Sequence, residues 1–195
     1  MKDIYLVGAG GHCRACIDVI EATGQYRIAG LFDSQVPAGE KVLGYTVLGG
    51  DDQFAKYVGK GEFLVTVGQI KTAEIRRKIH DQLIALGAKF ATVVSPRAHV
   101  SRHAKVGAGT IIMHDVLVQA AAHVGAYCIV NDKALIEHDG FVGDLCHVAT
   151  GAIVNGGSRV EAGSFIGSNA VLQQNCLVPA NSVVGAGSFF KRSEA

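Results

Sequence analysis

The chain has 195 residues, of which 49% are hydrophobic and 18% charged, a composition typical of a folded globular protein. A formal net charge of +1 excludes the strongly basic surface that a nucleic-acid or anionic-membrane partner requires. The first apolar run is too short for a signal peptide or a spanning helix, so the sequence predicts a cytoplasmic protein that acts on small molecules.

Residues 1–95 alternate short apolar runs with helical patterns. The runs predict strands over residues 4–7, 27–32, 46–48, 63–67 and 90–94, with a helix after the first strand and further helices over 51–57 and 72–86. This order predicts an α/β N-terminal domain with a mostly parallel, Rossmann-like sheet. Its glycine turn suggests a nucleotide-binding domain.

A glycine turn follows the first strand and opens the first helix, and it includes Gly10, Gly11 and His12. Backbone N–H groups at such a helix start can hold phosphate. The turn departs from the full dinucleotide fingerprint because Cys13 stands where its third glycine belongs, which argues against NAD or FAD.

Three further residues stand at strand ends, where parallel sheets collect ligands: Asp33 after the second strand, and Gly68 and Gln69 after a later one. Each could belong to an ordinary turn. Together with the glycine turn they predict a nucleotide site.

The chain contains five cysteines, an odd number that argues against a disulfide framework. Cys13 and Cys16 form a CxxC that could be a redox pair, but no second CxxC completes a zinc site. Cys128, Cys146 and Cys176 fall on a repeat position that accepts small residues, which predicts buried thiols.

Residues 96–195 follow a different rule, because a branched aliphatic residue recurs every six positions without an insertion. The fifteen positions are Val100, Val106, Ile112, Val118, Val124, Val130, Ile136, Val142, Val148, Val154, Val160, Ile166, Leu172, Val178 and Val184. A small residue stands two places before nearly every one, Val116 being the exception. A period of six fits neither a helix nor a plain hairpin sheet and predicts a solenoid.

This repeat resembles the left-handed parallel β-helix of the hexapeptide-repeat acyltransferases. That resemblance implies three hexapeptides per triangular coil, about five coils, and residues eighteen apart stacked in one column. A pure scaffold or an ice-type binding face is the alternative. Such a face would repeat one polar residue down a column, which this sequence does not do.

His138 is the candidate general base, because a neutral imidazole can take a proton from an attacking amine or hydroxyl near neutral pH. Glu137 and Asp139 flank it, and either could orient the ring only if the strand bends there, since adjacent strand residues point to opposite faces. Its column neighbours are Ala120 and Gly156, which predicts open space around the imidazole.

The glycine-glycine-histidine turn, Asn131, the run 137–139 and His147 together resemble the nucleotide-sugar acetyltransferases, which include bacillosamine-pathway and perosamine N-acetyltransferases and a sialic acid O-acetyltransferase. By position, the resemblance implies His138 as base, Glu137 as its partner and Asn131 as a supporting polar group. It also implies cofactor contacts by His147, Gly156, Ser168 and Ala186, and His12 near the sugar nucleotide. Acetyl-CoA is the implied co-substrate, with no metal.

The same resemblance implies a homotrimer whose active sites lie between neighbouring β-helices. The spacing agrees, because Asn131 and His147 stand seven and nine residues from His138, too far along one coil to meet it. The resemblance fails at the carboxyl end, where this chain reads Phe189 to Ala195 instead of the family's Gly-x-Pro-Ala-Lys tail.

The leading hypothesis is direct acetylation of the 4-amino group of a nucleotide-linked, UDP-type amino sugar, without an acyl-enzyme. The alternative within the class is O-acetylation of a sialic acid-type sugar. A γ-type carbonic anhydrase shares the β-helix but needs three convergent histidines, which the sequence does not suggest. A nicotinamide oxidoreductase is disfavoured by the incomplete glycine motif.

Overall fold

A computed structural model describes residues 1–191 and divides the chain into two compact units. The N-terminal unit comprises Met1–Gly68 and Glu74–Val93, and the C-terminal unit comprises Gln69–Ala73 together with the chain from Val94 onward. The division falls close to the domain boundary predicted at residue 95. The sequence did not reveal that Gln69–Ala73 belongs with the second unit.

The N-terminal unit is built on a four-stranded parallel sheet in the order β2-β1-β5-β6. Its strands are β1 (Lys2–Val7), β2 (Tyr26–Phe32), β5 (Glu62–Val65) and β6 (Lys89–Phe90). Helix α1 (Gly11–Thr23) follows β1 and helix α2 (Glu74–Ala85) precedes β6. The predicted parallel α/β architecture is therefore confirmed.

The region between β2 and β5 differs from the prediction. Residues 46–48 were expected to form a sheet strand, and only Val47 does so, through a single parallel bridge to Leu31 of β2. The preceding residues form a small antiparallel hairpin from β3 (Lys41–Val42) and β4 (Tyr45–Thr46). Leu43 and Gly44 both have positive φ and make the tight two-residue turn. The helix expected at 51–57 is a short 3₁₀ helix, Asp51–Lys56.

An aromatic cluster forms the core on one face of this sheet, where Tyr5, Phe32, Phe54 and Phe63 are almost fully buried. The rings of Phe32 and Phe54 meet edge to face with centroids 5.2 Å apart. Helix α2 covers the cluster with Ile79 and Leu83. The sheet that positions the glycine turn is thus rigidly packed.

The C-terminal unit is a parallel β-helix, as predicted. After β7 (Val93–Val94), its two-residue strands β8 to β23 are His99–Val100, Lys105–Val106, Ile111–Ile112, Leu117–Val118, His123–Val124, Ile129–Val130, Leu135–Ile136, Phe141–Val142, His147–Val148, Ile153–Val154, Arg159–Val160, Phe165–Ile166, Val171–Leu172, Leu177–Val178, Val183–Val184 and Phe189–Phe190. Residues eighteen apart pair in three sheets. Every aliphatic residue of the repeat ends a strand, and most are completely buried.

The β-helix has three sheets, named A, B and C. The A sheet contains β8, β11, β14, β17, β20 and β23, and the B sheet contains β9, β12, β15, β18 and β21. The C sheet contains β7, β10, β13, β16, β19 and β22. Along the chain, corner 1 leads from the A to the B sheet, corner 2 from B to C, and corner 3 from C back to A. Each corner is one column of turns.

Backbone conformation explains the sharp corners. One residue in every turn from Gly109 to Gly187 has a positive φ near 60–70°, and it is glycine, asparagine or aspartate in most turns. Inside the corners, small polar residues satisfy carbonyls of the next coil: the Ser158 hydroxyl donates to Gln173 O at 2.7 Å, and the Cys128 thiol to Gly143 O at 3.1 Å. The predicted buried thiols are confirmed at Cys128, Cys146 and Cys176, none of which forms a disulfide within residues 1–191.

Candidate active site

His138 and Asp139 form a corner 1 turn directly after Leu135–Ile136 and Glu137. Asp139 has a φ of 59°, so the backbone reverses and brings its carboxylate back to the preceding ring. His138 Nδ1 lies 2.8 Å from Asp139 Oδ2. Since an ionised carboxylate only accepts, Nδ1–H donates to it, and in the neutral ring Nε2 is the basic nitrogen.

This contact changes the predicted carboxylate partner. Glu137 Oε2 accepts from the backbone N–H of His138 at 3.3 Å and does not contact the ring nitrogens. The resemblance implied Glu137 as the partner of His138, whereas the structure puts Asp139 there. The bend that the sequence reasoning required is present, and the left-handed conformation of Asp139 provides it.

The pKa of His138 is raised above its usual value. The hydrogen bond to Asp139 is the largest cause, and the charges of Asp139 and Glu137 add to it, while partial desolvation opposes them. Both side chains of the pair are largely exposed, at 60% for His138 and 66% for Asp139. The base is thus accessible to a second molecule.

Gly156 lies against the imidazole from the next coil. A Cβ atom there would stand 2.8 Å from both Cε1 and Nε2 of His138, closer than van der Waals contact allows. The sequence predicted open space between His138 and Gly156. The imidazole instead packs directly against Gly156 and fills that space. Gly157 N–H donates to His138 O at 3.1 Å and fixes the turn from the same side.

Asn131 and His147 belong to a different side of the β-helix. Asn131 directly precedes corner 3, and its Oδ1 accepts from Asp132 N–H at 2.8 Å. His147 begins a strand of the C sheet and is only 7% exposed. Within one chain, neither residue lies on the corner that carries His138.

Gln69 determines how the His147 ring is held. Nδ1 of His147 lies 2.7 Å from Gln69 O, and a carbonyl can only accept, so Nδ1 carries the proton. The Gln69 amide in turn donates to Gly163 O at 2.9 Å. Gln69 was expected to contact a nucleotide, but the residue is only 3% exposed and belongs with the β-helix unit instead.

The predicted cofactor residues are divided between two corners. Gly156 stacks on His138 at corner 1, while Ser168 and Ala186 lie in the turns of corner 3. Gly187 N–H donates to Ser168 O at 2.8 Å, so those two turns are neighbouring coils of one column. One chain does not bring all three residues to a single groove.

In the glycine turn of the N-terminal unit, Gly8 has no room for a side chain, whereas Gly10 and Gly11 have open space beside them. Gly8 has a φ of 106°, and a Cβ there would meet Val67 Cγ2 at 2.7 Å. Gly10 caps α1 and Gly11 begins it, and nothing lies within 4 Å of a Cβ at either. The first turn of α1 contains no acidic residue, which leaves its positive end suited to an anion.

Asp33 stabilises this turn through the backbone. Its Oδ2 accepts from Ala9 N–H at 2.7 Å, and its Oδ1 accepts from Gln35 N–H at 2.7 Å. The carboxylate therefore joins the glycine turn to the loop after β2. His12 lies beside Gly68, with Nε2 3.3 Å from Cys16 Sγ.

A cavity of about 400 Å³ opens between these loops, and Gly8, Asp33, Asp51, Ile75 and Lys78 are among the residues that line it. A second cavity of about 710 Å³ shares Asp33 and Asp51 with it. Burial raises the pKa of Asp51, and the nearby Lys78 opposes that shift. Sequence reasoning missed Asp51 and Lys78, although Asp51 follows a Gly49-Gly50 pair that signals a loop.

The CxxC does not form a reactive pair. Cys13 and Cys16 are fully buried, and burial raises the pKa of the Cys13 thiol to about 11, which suppresses the reactive thiolate.

Residues 1–191 contain no group of three or more His, Cys, Asp or Glu side chains that could hold a metal ion. No helix within the same range is long and apolar enough to cross a membrane. The predicted cytoplasmic location stays a prediction.

Comparison with known proteins supports the resemblance. Residues 3–83 match the family described as the PglD N-terminal domain.

One curated relative is UDP-N-acetylbacillosamine N-acetyltransferase from Bacillus subtilis, 30% identical over 123 residues. The match covers 58% of this chain and about half, 52%, of the relative. A structural relative is the acetyltransferase domain of PglB from Neisseria gonorrhoeae, with a TM-score of 0.91 and 28% identity over 99% of this chain and 93% of that one. That domain has also been solved in complex with acetyl coenzyme A.

A histidine variant of GDP-perosamine N-acetyltransferase from Caulobacter crescentus, in complex with CoA and GDP-perosamine, has a TM-score of 0.69. It is 24% identical over 97% of this chain and 93% of its own, a similarity that supports the fold alone. The resemblance to nucleotide-sugar acetyltransferases is supported by the Bacillus subtilis relative and by the PglB acetyltransferase domain. The departure from the family's tail concerns residues 189–195, of which 192–195 lie outside the described residues.

Proposed function

We propose that this protein transfers acetyl from acetyl-CoA directly to the 4-amino group of a nucleotide-linked, UDP-type amino-deoxysugar. The contact between His138 Nδ1 and Asp139 Oδ2 carries the proposal, because it turns an accessible imidazole into an oriented general base. The similarity to a UDP-N-acetylbacillosamine N-acetyltransferase and to an acetyl-CoA-binding domain supports the substrates.

His138 acts on the acceptor in the neutral form. Nε2 takes a proton from the sugar amine as the new N–C bond to the acetyl carbon forms. Asp139 keeps the proton on Nδ1 and stabilises the imidazolium. The C–S bond of the thioester then breaks, and the imidazolium returns its proton to the departing sulfur, so the base is regenerated. No cysteine takes part, since all five are buried.

We further propose a homotrimer in which corner 1 of one subunit faces corner 3 of its neighbour. The separation supports this: His138 and Gly156 lie at corner 1, whereas Asn131, Ser168 and Ala186 lie at or beside corner 3. The A sheet lies between these corners, and its outward strand positions include Leu117, Leu135, Ile153 and Val171. An apolar face there fits packing against other copies.

The N-terminal unit is proposed to bind the nucleotide. The open positions at Gly10 and Gly11 allow close approach of a diphosphate to the backbone of the α1 start, and His12 lies on the same turn. Asp33 supports this site by holding the turn, and Gly68 packs beside His12.

Acetyl-CoA turnover measured with a UDP-linked 4-amino sugar and with a sialic acid tests the proposal. We expect release of the CoA thiol with the amino sugar and its abolition in His138→Ala, with CoA binding retained. Activity only with the sialic acid would instead support O-acetylation. Near wild-type turnover by His138→Ala would disprove the role of the base.

A further inference from the structure

The space around His138 differs on its two sides along corner 1. On the side toward the carboxyl end, Gly156 packs directly against the imidazole. On the side toward the amino end, the next residue of the column is Ala120, which is exposed and whose carbonyl accepts from Asp139 N–H at 3.2 Å. A methyl group leaves room beside the ring, so a second molecule can reach His138 from the amino side.

Arg102 follows Ala120 in the same column, one coil further toward the amino end. Its Nε–H donates to His103 Nε2 at 3.1 Å, a direction fixed by the guanidinium, which has no acceptor. Within residues 1–191 the exposed side chain makes no other hydrogen bond and no ion pair. Its terminal N–H groups are therefore available to a molecule from outside the chain.

The first coil of the β-helix is basic. Residues 95–114 include Arg97, Arg102 and Lys105 but neither aspartate nor glutamate. Arg97 is neutralised by its pair with Asp115. Arg102 is thus an uncompensated cation on the corner that carries the base, whereas Lys105 lies on the B sheet. A guanidinium suits phosphate in particular, because two of its N–H groups match two phosphate oxygens.

The spacing along corner 1 fits the proposed acceptor. Arg102 and His138 are two coils apart, which is about 10 Å at the spacing of paired strands. In a nucleotide-linked 4-amino sugar, the pyranose ring separates the amine from the anomeric carbon that carries the phosphate. With the amine at His138 Nε2 and the ring beside Ala120, the phosphate is directed toward Arg102.

We propose that Arg102 binds the diphosphate of the acceptor, its terminal N–H groups donating to the phosphate next to the sugar. This inference rests on the proposed function, and it makes Arg102 a specificity residue for a phosphate-linked sugar over a free one. A diphosphate has oxygens on both phosphorus atoms, so this contact does not compete with the backbone N–H groups proposed to bind it at α1.

The kinetic test compares Arg102→Ala and Arg102→Lys with the wild type, using a UDP-linked 4-amino sugar. We expect Arg102→Ala to raise the KM for the amino sugar about tenfold, the effect of one lost charge-assisted contact. The kcat and the KM for acetyl-CoA should not change, because Arg102 does not touch the reacting atoms. Arg102→Lys retains the charge but not the paired donors, so it should recover only part of the loss.

Lys105→Ala is the matched control, since it removes an exposed cation from the same coil but from the B sheet. It should leave both KM values unchanged. An equal rise in the acceptor KM with Lys105→Ala would overturn the inference in favour of a general positive field. A rise in the KM for acetyl-CoA alone would overturn it in favour of a CoA contact.

Calorimetric titration with UDP and with uridine tests the contacted group without turnover. UDP should bind about tenfold more weakly to Arg102→Ala than to the wild type, and uridine equally to both, because only UDP has the diphosphate. Unchanged UDP affinity in folded Arg102→Ala would overturn the inference. If the wild type binds UDP through Arg102 but acetylates no UDP-linked amino sugar, the diphosphate contact is upheld and the proposed function fails.

Discussion

The backbone carbonyl of Gln69 lies 2.7 Å from Nδ1 of His147, a bond between residues 78 positions apart. Gln69 belongs to a short segment, Gln69–Ala73, that leaves the N-terminal unit and joins the β-helix. Its amide donates to Gly163 O on the coil that follows His147. One residue thus fixes the ring proposed to face the thioester and at the same time attaches the segment.

Replacing Gln69 by alanine removes the amide but keeps the carbonyl that contacts His147, so it should destabilise the protein and disturb His147 only by loosening the segment Gln69–Ala73. Loss of the buried amide leaves Gly163 O without this donor, which costs about 1–3 kcal/mol of the free energy of unfolding. Urea denaturation measures the loss, and titration with CoA measures the effect on the cofactor. Gln25→Ala, at an exposed position, is the control and should change neither. Unchanged stability of Gln69→Ala would show that the segment is held by other contacts.

The pH dependence of acetyl transfer should follow His138. Because Asp139 raises the pKa of His138, the neutral base is lost as the pH falls through that raised value, and activity declines on the acid side. Asp139→Asn removes the main cause of the raised His138 pKa, so the acid limb of the profile should move to lower pH. The value of kcat should also fall, because the carboxylate no longer orients the imidazole. Glu137→Gln should move the limb in the same direction but less. Profiles of kcat/KM against pH measure both.

An acid limb that moves more with Glu137→Gln than with Asp139→Asn would contradict this assignment and restore Glu137 as the partner. The two variants are matched, since each replaces one carboxylate by an amide of the same shape within one residue of His138.

Gly156 should tolerate no side chain. A methyl group would stand 2.8 Å from Nε2 of His138, so Gly156→Ala must displace the ring from its contact with Asp139. We expect kcat to fall by about 10²-fold while the fold persists, because the imidazole is exposed and can swing away. Gly185→Ala is the control, as nothing lies within 4 Å of a Cβ there. Equal activities of the two variants would refute a fixed ring position.

The β-helix was predictable because a hydrophobic period of six residues is compatible with few structures other than a solenoid. The strand ends fell on the predicted aliphatic residues, and the same register extends to Val94 and Phe190. The partner of His138 was not predictable, since it depends on the left-handed φ of Asp139, which sequence spacing does not specify. The role of Gln69 was not predictable either. It depends on the segment Gln69–Ala73 joining the β-helix unit through residues that are distant in the sequence.

Subunit sharing of the active site can be tested by complementation. His138→Ala removes the base from corner 1, and Asn131→Ala removes the polar group beside corner 3, so each pure variant should have low activity. If sites lie between subunits, random mixed trimers contain intact pairs at about a quarter of their sites. Co-refolding or co-expression of the two variants should then yield activity well above either alone, measured as CoA release per subunit. Activity equal to the mean of the pure variants would mean that each chain contains its whole site.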